Sequence, residues 1–329
     1  MATLYPLKFK PIIKERVWGG DQLSQLLNKP KTGEKPTGES WELSGVQGDV
    51  SVVENGYLKE NDINELVETY LGEITGDAIY EKYGVEFPIL IKYLDIQQGL
   101  SIQVHPDDET ALSRHESYGK TELWYIVDAA PDAKIYLGFN RDTTPQELYD
   151  KCNNDTVDEL LNVITPKKGD YVLITPGTIH AATGGILVAE IQTTSDVTYR
   201  VYDWGREHNP KTAREMHLDL AIDIIDYNKY DLSQYHNSGK QNSESEIIND
   251  CNYFKISLLN PERLMRFESS TFESFIIYMV LEGEVLIDSK ESSLKVSKGE
   301  TVLIPSAMGE YTILKNSAKC QILEITGKS

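Results

Sequence analysis

Short apolar runs broken by single polar residues dominate this chain, and most have the two-residue period of β-strands. Phe87 to Asp95 is a buried strand interrupted by Lys92, and Leu100 to Val104 is a second that ends at Pro106. Leu123 to Val127, Tyr171 to Ile174, Ile186 to Gln192 and Thr198 to Tyr202 extend the pattern. From Tyr253 to Ile325 short strands recur with turn signals about every ten residues, as at Leu281-Glu282-Gly283 and Lys298-Gly299-Glu300, which predicts an all-β module. Helical spacing is seen at Gln22–Leu27, Asp62–Leu71, Pro145–Cys152, Val157–Val163 and Thr212–Ile225, and predicts helical insertions among strands. Residues 1–20 alternate poorly, 29–38 have the composition of a surface loop, and Glu39 and Trp41 after it suggest a surface pair. The polar stretch from Tyr227 to Glu246 places a domain boundary, giving units 1–235 and 236–329.

The polar interruptions carry the chemistry. Gln103 and His105 sit two apart, so they share one strand face while Ile102 and Val104 pack on the other. One strand histidine alone fits a core residue equally well. Downstream, however, Lys120 and Glu122 are again two apart, and a Pro176-Gly177 turn leads to His180. Glu190 with Gln192, and Arg200, interrupt later apolar strands. An unpaired buried ammonium is costly, so Lys92 requires a partner or a cavity. His105, Glu122 and His180, with the Gln103 amide beside them, form a donor set for a divalent metal with an open position. Zinc fits it, as would iron, manganese, cobalt or nickel.

Composition narrows the class. With 329 residues and a net charge of −20, the chain lacks the basic surface that nucleic acid or an anionic membrane requires, so neither is an expected partner. No apolar run is long enough to span a bilayer, and Met1–Pro6 has no charged region leading into an apolar one. Three scattered cysteines, Cys152, Cys251 and Cys320, suit a reducing cytoplasm better than a disulfide framework.

Gly169 to Pro176 and Gly299 to Pro305 resemble the glycine–strand–proline signature of cupins, double-stranded β-helix barrels, and it occurs twice. More closely, Leu100 to Pro106, Lys120-Thr121-Glu122, Gly177 to Ala181 and Asp196 to Arg200 resemble the type I mannose-6-phosphate isomerase family in its short bacterial form. The resemblance implies a mainly β chain of two cupin-like jelly-roll barrels. It further implies one zinc ion in the N-terminal barrel on His105, Glu122, His180 and Gln103. Arg200 takes the family's active-site arginine position, and Lys92, Lys120, Glu190 and Asp196 fall on pocket positions. The implied reaction interconverts mannose 6-phosphate and fructose 6-phosphate through an enediol, with Lys120, Glu190 or Asp196 as base. Longer members read His-Lys-Pro-Glu where this chain has Gly119-Lys120-Thr121-Glu122, so a relay through that histidine is absent or moved. The second barrel has Ser306-Ala307-Met308-Gly309 after its proline and is expected to bind no metal. The residues alone also suit a cupin non-haem iron dioxygenase or a non-catalytic sugar-binding bicupin.

Overall fold

The computed structural model describes residues 3–31, 33–237, 243–290 and 292–329. It is mainly β, built from four antiparallel sheets in two pairs, the two cupin-like barrels expected. The first pair comprises a seven-stranded sheet, in the order Ile12–Gly20, Thr37–Leu43, Ile89–Ile96, Ile186–Thr193, Glu122–Ala129, Tyr171–Ile174 and Tyr235–His236, and a five-stranded sheet. The latter runs Tyr199–Tyr202, Ile102–Val104, His180–Thr183, Lys134–Phe139 and Leu161–Ile164. The second pair begins with Ser245–Asp250 and holds a five-stranded and a four-stranded sheet.

Strand Ile89–Ile96 is buried along its whole length because the seven-stranded sheet is covered on both faces. Leu94 and Ile96 point into the first barrel, against Ile135 and Leu137 of the facing sheet. Ile89, Ile91 and Tyr93 point the other way, into a cluster that includes Ile256, Ile277, Met279 and Ile325 of the second barrel. Burial on both faces replaces the apolar–polar alternation of a one-sided strand with a continuous apolar run. Each such side chain contributes about 1.5–3 kcal/mol of transfer free energy, so the two barrels are fastened by the same sheet that builds the site. Phe87 and Phe275 meet across this contact with ring centroids 4.6 Å apart. The N-terminal segment also crosses over, as Leu7 pairs with Leu303.

Three helical expectations hold: Gln22–Leu27, Ile63–Tyr70 and Pro145–Asn153. Ile63–Tyr70 opens with a reciprocal capping box between Asp62 and Glu65. Two require correction. Val157–Leu160 is a single 3-10 turn, and Leu161–Ile164 continues as a strand paired with Lys134–Phe139, because β-branched residues at a sheet edge gain more from the ladder than from a second helical turn. Within 212–225 only Leu218–Ile222 is α-helical. Upstream, His217 exchanges hydrogen bonds with the backbone of Arg200 and Arg214 reaches Asp203, which holds 212–217 in an irregular path. The poorly alternating residues 12–20 form a full strand. Lys29, expected in a surface loop, is buried and ion-paired with Glu42 at 2.6 Å.

The second barrel repeats the register of the first with different side chains. In the first, Lys92, Glu190, Trp124 and Val172 lie in one row across neighbouring strands; in the second, Ser257, Glu324, Tyr278 and Val302 do. Phe267 stacks on Tyr311 at 5.3 Å and the Tyr278 and Tyr311 hydroxyls lie 2.6 Å apart, so aromatic rings fill the interior there. No helix among the described residues is long and apolar enough to cross a membrane. All three cysteines are free thiols.

Candidate metal centre and cleft

His105, Glu122 and His180 come from three places in the first barrel, and their ligand atoms lie within 4.8 Å of one another. Strand Ile102–Val104 delivers His105 just past its end, Glu122 opens Glu122–Ala129, and His180 begins His180–Thr183 after the Pro-Gly turn. All three are essentially inaccessible. Glu122 Oε1 lies 3.1 Å from His180 Nε2, and Oε2 lies 3.5 Å from His105 Nε2 and 3.0 Å from Lys120 Nζ.

The imidazoles are oriented from behind. His105 Nδ1 is 3.2 Å from the Val197 carbonyl and His180 Nδ1 is 2.9 Å from that of Thr178. A carbonyl only accepts, so the Nδ1 atoms donate and the neutral rings turn Nε2 lone pairs toward Glu122. Burial, aided by Lys120, pushes His105 down to about 3, which keeps it neutral. Burial alone would raise the Glu122 carboxyl, but Lys120 and His105 outweigh it and hold the group well below the usual carboxylate range. His105 Nε2 and both Glu122 oxygens are buried without a well-aligned hydrogen bond, Oε2 keeping its ion pair with Lys120. Orphaned acceptors are expensive, and a divalent cation satisfies them together, so the donor set fits a metal. Gln103 is less direct: its amide nitrogen faces His180 Nε2 at 3.3 Å while Ser101 donates to its oxygen, so ligation through that oxygen requires the flipped amide.

Above the metal residues opens a cleft of about 380 Å³. Every other site residue expected from the sequence lines it: Lys92, Lys120, Glu190, Asp196 and Arg200. Lys92, paired with Glu190 at 3.0 Å and donating to Gln192 at 2.6 Å, has both a carboxylate and an amide partner. Trp124 Nε1 donates to the other Glu190 oxygen at 2.9 Å, and burial nevertheless holds that carboxyl above its usual range against the pull of Lys92. Lys120 goes up: burial disfavours its charge, but Glu122 and Glu190 prevail.

Several cleft residues were missed. Lys14 and Arg16, which alternate with Trp18 along the first strand, face the cleft. Glu39 and Trp41, expected at the surface, are buried in its wall. Trp41 Nε1 donates to Glu39 at 2.6 Å, Arg16 holds the other oxygen at 2.7 Å, and the Trp41 ring stacks under Lys92. A pair of buried partners explains what spacing alone left as a surface pattern. Arg214 arrives from the irregular segment, and no periodicity could have announced it. Cations outnumber carboxylates six to four in the lining, a locally positive cleft in a protein of charge −20. Of those cations only Arg200 has no carboxylate partner among the described residues; its guanidinium reaches the Glu215 carbonyl, and its Nε is buried without a partner.

The family model for the catalytic domain of type I phosphomannose isomerase matches residues 6–131, and that for the mannose-6-phosphate isomerase cupin domain matches 244–323. Mannose-6-phosphate isomerase ManA of Bacillus subtilis is 35% identical over 97% of this chain and 98% of its own. The chain belongs to the type I phosphomannose isomerase family. The crystal structure of mannose 6-phosphate isomerase from Bacillus subtilis superposes with a TM-score of 0.82 at 29% identity, covering 98% of this chain and 99% of that one. A mannose 6-phosphate isomerase bound with zinc and yttrium superposes at 0.77 over 99% and 100% of the two chains; at 15% identity it bears on the fold alone. Neither the dioxygenase nor the non-catalytic bicupin finds support among these relatives. As for the histidine of longer family members, the backbone explains its absence: a Cβ at Gly119 would lie 2.4 Å from the Asp108 nitrogen.

Proposed function

We propose that this chain is a zinc-dependent isomerase interconverting mannose 6-phosphate and fructose 6-phosphate, with residues 1–235 as its catalytic unit. The observation that carries the reading is the buried His105–Glu122–His180 donor set beneath a cleft lined by six cations and four carboxylates, in which Arg200 is the one cation without a carboxylate partner among the described residues. Phosphate attracts cations, and a guanidinium without a competing carboxylate is the one ready to engage substrate oxygen. A relative's name supports the same substrate: ManA, 35% identical over 97% of this chain, is a mannose-6-phosphate isomerase.

In the reaction, a base removes the C2 proton of the aldose while O1 gains one, giving a 1,2-enediol; C1 then receives a proton as O2 loses its own. A zinc ion on His105, Glu122 and His180 supplies Lewis-acid stabilisation of the negative oxygen. Arg200 places its charge beside that oxygen. Lys120, buried at the floor of the cleft, is the proposed proton carrier; Glu122 and Glu190 favour its charged form, so it would take a proton only where zinc held by Glu122 offsets that carboxylate, and Glu190 and Asp196 are the alternatives. Lys92, its charge shared with Glu190, contributes to binding the phosphorylated sugar. Three free thiols support a cytoplasmic site of action.

Chelator-stripped protein, assayed by coupled conversion of mannose 6-phosphate to fructose 6-phosphate, should be inactive and regain turnover on adding zinc. Zinc binding without turnover overturns the assignment. Lys120→Met should abolish solvent-hydrogen exchange into the substrate; unchanged exchange removes Lys120 as the carrier.

A further inference from the structure

Lys120 and Glu122 flank Thr121 where a short connection enters strand Glu122–Ala129, and the backbone of that connection is held by a side chain whose hydrogen bonds go to neither of them. Thr193, at the end of strand Ile186–Thr193, is buried. Its hydroxyl donates to the Gly119 carbonyl at 2.7 Å and accepts from the Thr121 amide at 3.2 Å. Its own amide donates to the Thr121 carbonyl at 3.1 Å. One residue therefore binds the backbone on both sides of Lys120. The outer side of the connection is fixed as well: Gly119 N–H donates to Asp108 Oδ1 at 2.9 Å, and Lys120 N–H donates to the Pro106 carbonyl at 3.0 Å. Asp108 Oδ2 in turn accepts from the hydroxyl of Tyr253, a residue of the second barrel, at 2.8 Å.

We propose that Thr193 is a positioning residue that sets Lys120 and Glu122 relative to His105 and His180 by clamping residues 119–121. The hydroxyl is the operative group. It is buried with both a donor and an acceptor function in use, and deleting it leaves the Thr121 N–H and the Gly119 carbonyl without that partner in a place water reaches poorly. Glu122 follows the clamped amide directly, so slack there reaches the metal ligand as a displacement. Supporting groups of this kind are worth about 10- to 100-fold in metal affinity or activity. The catalytic half of this inference rests on the isomerase reading, and the metal half does not.

The test compares Thr193→Val, which keeps the shape, with Thr193→Ser, which keeps the hydroxyl. Zinc affinity is measured by competition with a chromophoric chelator, alongside kcat, KM and the melting temperature of the zinc-free protein. Thr193→Val should weaken zinc binding and lower kcat by about tenfold each while KM stays within about twofold, and Thr193→Ser should recover most of both. The zinc-free melting temperature of Thr193→Val should fall by only about 1–4 °C, the cost of the unpaired backbone groups, and that of Thr193→Ser by less. Wild-type zinc affinity and kcat in Thr193→Val overturn the proposal, as does equal impairment in Thr193→Ser, which would assign the effect to the methyl group. A zinc-free melting temperature lower by more than about 5 °C in Thr193→Val overturns it too, in favour of a general structural role. If the wild type binds zinc but does not isomerise the sugar, the functional reading fails while zinc affinity still decides the clamp.

Discussion

Lys92→Met should destabilise the protein strongly at alkaline pH and weakly at acid pH. The substitution keeps much of the side-chain volume and removes a charge 3.0 Å from Glu190 Oε2, with both side chains under one-tenth exposed. At an effective dielectric constant near 20, two charges at that distance attract by about 5–6 kcal/mol, and breaking a buried pair from one side costs about 3–5 kcal/mol. Trp124 still donates to Glu190, which favours the lower end. With an unfolding entropy of roughly 2.1 cal/mol/K per residue, this corresponds to a melting temperature lower by about 4–7 °C. The sign with pH follows from the raised Glu190 carboxyl. A carboxyl whose folded pKa exceeds its unfolded value destabilises the fold above the folded pKa, and the penalty vanishes below the unfolded one. Loss of Lys92 raises the folded value further, so the deficit should be full at pH 8 and shrink toward pH 5. Calorimetry of chelated wild type, Lys92→Met and Lys92→Met/Glu190→Gln at the two pH values decides it. The double variant should recover most of the loss at pH 8. A deficit independent of pH, or a double variant no better than the single, refutes the electrostatic account.

Asp203 is buried between Arg206 and Arg214; burial would raise its carboxyl, but the two guanidinium groups prevail and lower it. Its stabilising contribution is present above the unfolded pKa and lost as pH falls through the lower folded one, so Asp203→Asn should cost about 2–3 kcal/mol at pH 7 and progressively less below pH 4, measured by urea unfolding. Phe275→Ala empties one side of the ring contact between barrels and should cost about 3–5 kcal/mol while leaving one cooperative transition; two resolved transitions would show that the barrels unfold independently.

Much of the candidate site was legible because its polar residues violate strand patterning. Lys92, Glu122, Glu190 and Arg200 each interrupt an apolar run, and every one reaches the cleft or the metal residues beneath it. The same logic hid Lys14 and Arg16. There the inward-facing positions of the strand are themselves polar, since they face a charged cleft, and the hydrophobic period vanishes although the two-residue spacing of the basic residues remains. Glu39 and Trp41 were misread for another reason: two polar-capable residues i and i+2 look the same on a solvated face as in a hydrogen-bonded wall, and only Arg16 and Lys92, distant in sequence, distinguish the cases. The 212–217 segment defeated helical periodicity because side-chain bonds to Arg200 and Asp203 compete with the helix for its backbone and its arginine.

The two-sided burial of the seven-stranded sheet has a bearing on how this molecule can be divided. A fragment ending near residue 237 would retain every metal and cleft residue, yet it would present Ile89, Ile91, Leu123, Leu187 and Ile191 as an oily back to water. Contiguous apolar patches of that kind drive self-association. The second barrel, its own interior packed with tyrosine and phenylalanine, thus serves as a permanently tethered partner whose outer wall shields the cleft-bearing sheet from water, and the candidate site cannot be cut free of it.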